Sequence, residues 1–436
     1  MPSTKGLSSA LCRTLAILVL LAFTSVCAQA QTTLSLWTLM GGGDGERMRA
    51  LVERFNRSQN DSKVVVTTLT WGEPFYTKLM TAAAVGAGPD LATVHLSRMA
   101  NLIGARSVRP LSAAELDAAG LHAGDFYPRL WRKAAPSGMA YAVPLDSHAL
   151  VLFYNKALMR QAGLLGEDGE LKPLEGMAAL TAAFRVVKEK TGMQGVTMEC
   201  APNTYLAWRL WLSLLAQRGA RVINNGRFAY GKDGEVALGA MSHWFAQGYA
   251  SRGLDYPAAT SQFMSGKAGF MINGVWEVPS LVAAAGKPGA FAYGVLPLPR
   301  LYDNASVWGD SHAFAVPDNA GKPVAPARLA ASLKFVAFVS RHSLDWAAGG
   351  HTPARVAVAE SSAAQQMEPN ARYARAVAAN IVYDPDGWYA GAAGPLQTSS
   401  AKFLPAALSG QLSPSQALAL FEAEAGKLLR RRQPKP

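Results

Sequence analysis

Two short stretches carry residue types that could do chemistry, and each departs from the catalytic pattern it resembles. The run GGGDGE (41–46) joins a strand-like segment, LSLWTL (34–39), to a helix-like one, the usual place of a phosphate-cradling loop. No Lys-Ser or Lys-Thr follows the glycines to reach a phosphate or hold Mg²⁺, and Glu46 stands where a dinucleotide fingerprint needs its third glycine. What remains is a tight turn with helix-start N–H groups open to oxygen acceptors. Gly42, Gly43 and Asp44 are therefore candidate ligand contacts, with Asp44 expected first as a helix cap. The block GDSH (309–312) sets a serine beside a histidine, as an esterase nucleophile requires. It lies late in the chain, however, and no Asp-x-x-His accompanies it. There is no G-x-S-x-G and no H-E-x-x-H, and His95, His148 and His312 are too scattered to suggest a metal site. No catalytic residue, metal or cofactor is expected.

The ten tryptophans are a stronger signal. Trp37 closes one strand-like segment and Trp71 the next. Trp276 follows Asn273-Gly274 at a strand-to-helix turn, and Trp308 opens a strand with a polar interruption, WGDSHAFAVP (308–317). Strand C-termini are where open α/β sheets bind ligands, so these four are candidate platforms. Trp208, Trp211 and Trp244 sit inside helical segments and are expected in the core.

The elements that must position these residues alternate between strand and helix. Met48, Leu51, Val52 and Phe55 fall at i, i+3, i+4 and i+7, one face of a helix. KVVVTTLTW (63–71) and DLATVHL (90–96) read as strands, with a helix over 74–86 between them. The segment 140–163 enters as Val143-Pro144, is interrupted by Asp146-Ser147-His148 and resumes as LVLFY (150–154). A second series follows, with helices near 175–190, 203–218 and 235–247 and strands near 194–199, 268–272 and 291–296. A helix is expected over 326–340, and the last hundred residues are mostly helical. This alternation predicts an α/β fold with a largely parallel sheet.

Of 436 residues, half are apolar and 17% charged, a globular composition long enough for two domains. Lys5 and Arg13 precede an apolar run, TLAILVLLAFTSV (14–26), and Ala28-Gln29-Ala30 has the small-x-small pattern of a cleavage site, so residues 1–30 read as an export signal. The run is too short to span a bilayer. Val26 is larger than the residue that normally precedes a lipidated cysteine, which disfavours lipidation at Cys27. Cleavage leaves Cys200 alone, so stability rests on a large core without disulfides, as suits a periplasmic protein. It also lowers the net charge from +12 to +10. The positive residues are scattered apart from the tail at 431–436, and no nucleic-acid-binding motif accompanies them.

Four segments together resemble the extracellular solute-binding proteins of bacterial ABC sugar importers, the group of maltose- and glycerol-phosphate-binding proteins. They are LWTLMGGGDGERMRALVERFN (36–56), AYAVPLDSHALVLFYNKALMRQAGL (140–164) with its Tyr154-Asn155-Lys156 triplet, FMSGKAGFMINGVWEVPSL (263–281), and YGVLPLPR (293–300) followed by WGDSHAFAVP. The resemblance implies a type II periplasmic-binding-protein fold: two discontinuous α/β lobes joined by a hinge around a ligand cleft. The lobes would comprise 31–146 with 312–355 and 147–307 with 356–430, and the chain would cross near 144–150 and 308–313.

A sugar cleft needs flat aromatic platforms and groups that donate and accept hydrogen bonds. By position in the family pattern, Asp146, Ser147, Tyr205, Gly309, Asp310 and Arg355 join His95, Asn273, Gly274 and the four tryptophans as candidate contacts. The resemblance implies a monomeric periplasmic protein that binds a mono- or oligosaccharide and delivers it to ABC permease subunits, with no nucleic-acid partner and no membrane insertion. Glycerol 3-phosphate or a glycerophosphodiester is the alternative ligand. An exported sugar-ester hydrolase or lyase, and a surface recruitment protein using its basic tail, are the alternatives of other classes.

Overall fold

The structure is a computed structural model that describes residues 31–287 and 290–431. The expected export signal and all but the first residue of the basic tail lie outside the described residues. The strands are β1 (Thr32–Thr38), β2 (Ser62–Thr68), β3 (Leu91–His95), β4 (Val143–Pro144), β5 (Asp146–Asn155), β6 (Gln194–Thr197), β7 (Ile223–Asn224), β8 (Arg227–Phe228), β9 (Ala268–Gly274), β10 (Tyr293–Pro297), β11 (Val307–Asp310), β12 (His312–Ala315), β13 (Thr352–Pro353) and β14 (Ile381–Val382).

A five-stranded sheet in the order β2-β1-β3-β12-β4 carries the first core. β1 pairs in parallel with β2 and β3, whereas β12 runs antiparallel to both β3 and β4. The sheet is thus mixed rather than largely parallel as expected, because a strand returning from the other sheet inserts between β3 and β4. The helix Gly42–Ser58 turns its expected face inward, burying Met48, Leu51, Val52 and Phe55. Phe55 meets Phe335 and Phe338 edge-on, at 5.2 and 5.3 Å. Those two belong to the helix Pro326–Arg341, so a segment nearly 300 residues later completes this core.

The second core surrounds β5 in a sheet ordered β14-β11-β5-β9-β6, with β10 and β13 also pairing with β5. A central strand is covered on both faces, which is why LVLFY needs no polar alternation. The Tyr154-Asn155-Lys156 triplet ends that strand for local reasons. Asn155 Oδ1 caps the next helix by accepting from the N–H groups of Ala157 and Leu158 at 2.9 and 3.2 Å. The Tyr154 hydroxyl and Lys156 Nζ both donate to Glu170, at 2.6 and 2.8 Å.

The chain passes between the sheets at Leu145, where β4 of the first sheet gives way to β5 of the second. It passes back at Ser311, between β11 and β12. A third segment lies beside these two: β13 pairs Thr352 with Ser147 and Pro353 with Asp146, and the Ala354 N–H donates to the Leu145 carbonyl. Asp146-Ser147-His148 does not interrupt the strand as expected. It begins a continuous β5, because β11 and β13 satisfy its backbone there.

Candidate functional site

A cavity of about 400 Å³ lies between the two sheets. The turn Leu39–Gly41 and Asp44 contribute one wall, with Trp71 and His95 beside them. Opposite stand Glu199, Asn203, Tyr205, Arg209, Tyr256, Trp276 and Trp308, and His148 and His312 close the base. A larger and more open groove of about 740 Å³, bordered by Arg129, Lys133 and Arg221, has no tryptophan among its lining residues.

Arg209 is the centre of the aromatic wall. Its guanidinium lies 4.6 Å from the Trp308 ring, 5.3 Å from Trp276 and 5.5 Å from Trp71, so three π-faces hold one cation. Arg209 is only 7% exposed, and its side chain has no hydrogen-bond partner among the described residues; Nε is fully enclosed. A buried guanidinium with free donors is costly unless an oxygen acceptor arrives. Burial depresses its pKa against the pull of Glu199 and Asp384, and burial raises that of Glu199 despite Arg209. The indoles are themselves fixed: Trp308 Nε1 donates to Asp384 at 2.9 Å and Trp276 Nε1 to the Tyr256 hydroxyl at 2.9 Å. Trp71 remains 37% exposed, leans on Tyr205 and borders the cavity.

The base of the cavity is a buried histidine cluster. His148 and His312 have ring centroids 4.3 Å apart, and His95 lies 4.8 Å from His312. Burial and the neighbouring imidazoles push the His148 pKa down to about 4 and His95 well below its ordinary value. Asp146 is buried among them. Burial opposes its charge, yet His312 and His351 hold its pKa well below the usual carboxylate range. His351 bridges Asp146 and Asp44; burial disfavours its charge, but the two carboxylates hold its pKa up at about 10.

Six of the sixteen sequence-derived candidates line the cavity: Asp44, Trp71, His95, Tyr205, Trp276 and Trp308. The others stand elsewhere. Trp37 lies in an outer groove against Lys78, because β1 turns that side chain away from the cavity. Gly42 takes φ +51° at the turn, and Gly43 packs on Pro279, which a Cβ would meet at 2.5 Å. Asp146 sits at the crossing, and Ser147 faces a different groove with Thr352 and Tyr383. Asn273 Oδ1 accepts from the Gly274 N–H, and Gly274 is covered by the Trp276 ring. Gly309 leaves room for the His148 carbonyl, and buried Asp310 accepts from Ser97 and from the Ser311 N–H. Arg355 pairs with Asp125 at 3.0 Å. Asp44 does not cap its helix. Gly41 is the N-cap residue, with no side-chain cap, and Asp44 accepts from His351 Nε2 at 2.9 Å instead.

Leu39, Met40, Gly41, His148, Glu199, Asn203, Arg209, Tyr256 and His312 also line the cavity and are not among those sixteen candidates. For Arg209 a signal existed: it is the one charged residue in the helix LAWRLWLSLLAQ, Leu206–Gln217. As expected, Trp208, Trp211 and Trp244 are fully buried in the core. Ser311 of the esterase-like block is buried, and its hydroxyl donates to the His312 carbonyl at 3.1 Å.

Residues 42–343 match the model of a family described as bacterial extracellular solute-binding protein. The sn-glycerol-3-phosphate-binding periplasmic protein UgpB of Pectobacterium atrosepticum is 30% identical over 184 residues, 41% of each chain. UgpB of Salmonella typhimurium is 27% identical over 197 residues, 44% of this chain and 42% of that protein. The match thus spans less than half the length of these curated relatives. Maltose-bound MalE3 of T. maritima superposes with a TM-score of 0.78 at 20% identity, covering 91% of this chain and 100% of that one. The GacH receptor of Streptomyces glaucescens, solved unliganded and with acarbose, gives 0.75 at 23%, covering 92% and 99%. At these identities the likeness concerns the fold, which is that of the maltose-binding type of periplasmic binding protein.

Proposed function

This chain belongs to the bacterial extracellular solute-binding protein family, and we propose that it is the periplasmic solute-binding component of an ABC importer, taking a carbohydrate into the cavity between its sheets. The observation that carries the ligand reading is Arg209: a buried guanidinium with free donors, set under three indoles. Such a wall stacks the C–H face of a sugar while Arg209, Glu199, Asn203 and Asp44 supply donors and acceptors for its hydroxyls. We take the two cores as two lobes, 31–146 with 312–355 and 147–307 with 356–430, which close about the crossings when a solute touches both. The protein then acts as a monomer, exported by residues 1–30, and passes its solute to permease subunits.

A second reading is glycerol 3-phosphate or a glycerophosphodiester. The positive charge of Arg209 and the partial match to UgpB favour it.

A thermal-shift screen followed by calorimetry separates the readings. A ligand at 100 times its Kd stabilises the folded state by about 2.7 kcal/mol. The carbohydrate reading expects a neutral mono- or oligosaccharide to give that shift. The phosphate reading expects glycerol 3-phosphate to do so while glycerol does not. If no hydroxylated solute stabilises the protein and it hydrolyses p-nitrophenyl esters in a manner lost in Ser311→Ala, the binding function is wrong.

A further inference from the structure

Asp146 and His148 come from the first crossing, His312 from the second, and His351 from the segment before β13. Sequence separates these residues by up to 205 positions, but all are buried and their ligand atoms lie within 4.8 Å of one another. We propose that these four side chains form a binding site for a divalent transition metal, zinc by preference, at the point where the three crossing segments meet.

The first support is spacing. The Nδ1 atoms of His148, His312 and His351 stand 3.2, 2.8 and 3.1 Å from the Asp146 carboxylate. A tetrahedral zinc centre with bonds of about 2.0–2.1 Å has ligand-to-ligand edges of roughly 3.3 Å. The three imidazole nitrogens and a carboxylate oxygen lie within 4.8 Å of one another, so they surround one ion once the wider edges close toward that spacing. This donor set suits zinc and its first-row neighbours, whereas Mg²⁺ and Ca²⁺ favour oxygen alone.

The second support is crowding. Asp146 also accepts from Trp346 Nε1 at 2.7 Å and from the His312 backbone N–H at 2.8 Å. Five nitrogens therefore press on a carboxylate that offers about four lone-pair positions. One of them fits poorly: His351 Nδ1 is buried and close to Asp146, yet it lacks hydrogen-bond alignment with any described residue. Binding a metal ion would displace the Nδ1 proton to solvent and give that nitrogen a partner.

The third support is the shell around the cluster. His351 is held through its other nitrogen by Asp44, at 2.9 Å. A carboxylate behind the imidazole is the usual arrangement for a metal-bound histidine. Asp44 and Asp146 form no ion pair with any described Lys or Arg, so histidines are their only ion-pair partners among the described residues. An overlapping trio of His95, His148 and Asp310 is less suited, because His95 Nδ1 is engaged by the Tyr76 hydroxyl and Asp310 by Ser97. Access exists from two sides: His148 and His312 face the solute cavity, and His351 borders the groove with Ser147. An ion here would pin the hinge segments together without occupying the aromatic wall.

The test uses the mature chain prepared without a polyhistidine tag, stripped with EDTA, incubated with Zn²⁺ and passed through gel filtration. Elemental analysis is expected to find one zinc per chain, with a raised Tm, and Co²⁺ is expected to give the intense visible bands of a tetrahedral site. The variant His312→Asn/His351→Gln, with unchanged circular dichroism, should lose the metal, while His243→Asn, on the exposed face of its helix, should keep it. Wild-type protein that leaves the column without zinc and shows no tetrahedral Co²⁺ bands overturns the proposal and leaves a hydrogen-bonded hub. A folded double variant that still retains one zinc also overturns it. The wild-type measurements decide the matter even if the double variant does not fold.

Discussion

Arg209 and Trp71 do different work, and substitutions separate it. Arg209→Met keeps much of the apolar stem while deleting the charge and its free donors. Hydrogen bonds to a charged group contribute about 1.5–3 kcal/mol, so affinity for the identified solute should fall at least about tenfold. The unliganded protein should melt no lower than the native one, since an unsatisfied buried cation is removed; calorimetry and a thermal melt check both halves. Trp71→Ala takes away an indole that is still partly exposed and borders the cavity. It should weaken binding by about 0.5–1.5 kcal/mol with little change in Tm. At this scale the sequence was a partial guide. Of the four candidate tryptophans three line the cavity, but β1 turns Trp37 outward. Which face of a strand meets the cleft depends on sheet pairing, and nothing local to Trp37 encodes it.

The elements of the first core are tied by Asp90, which joins β1 to the helix Pro326–Arg341. Its Oδ2 accepts from the Ser35 N–H at 2.7 Å, the Ser35 hydroxyl at 2.8 Å and Arg328 Nη2 at 2.7 Å. Burial works against the ionised form, but Arg328 and Ser35 prevail and hold the pKa below its ordinary value. A lowered folded-state pKa means the stabilisation is present above the unfolded value of about 3.9 and is lost as pH falls through the folded one. Asp90→Asn should therefore lower the urea midpoint at pH 7, and the gap between the two proteins should close as the pH is taken below about 4. Element types and most boundaries were legible, because amphipathic periods and β-branched runs are local. The helix Gly42–Ser58 buries the four residues its spacing predicts. The exceptions lie where partners decide: β5 begins at Asp146 because β11 and β13 are there to pair with it.

For the whole molecule, the proposed closure has a contact that tests it. Gly43, at the start of the helix Gly42–Ser58, packs against Pro279 of the helix Val278–Ala285, which belongs to the other core. A Cβ on Gly43 would stand 2.5 Å from Pro279 Cβ, and a proline ring has little freedom to yield. Gly43→Val should hold the two cores apart, weakening solute affinity by about tenfold, or 1.4 kcal/mol, while the unliganded protein unfolds at nearly its native midpoint. Small-angle scattering should show a smaller ligand-induced compaction than in the native protein. A variant that binds and compacts normally would contradict closure at this contact.

The sequence by itself determined the α/β alternation, the amphipathic faces, the family resemblance and the aromatic character of the site. These follow from local periodicity and from side-chain chemistry that holds wherever the chain runs. Only the tertiary structure decided that Arg209 lies under three indoles supplied by three separate segments, and that Asp146, His148, His312 and His351 converge. The reason is physical. Such sites depend on the register and crossing points of strands distant in sequence, and those are set by how two cores exclude water together rather than by the residues of any one segment.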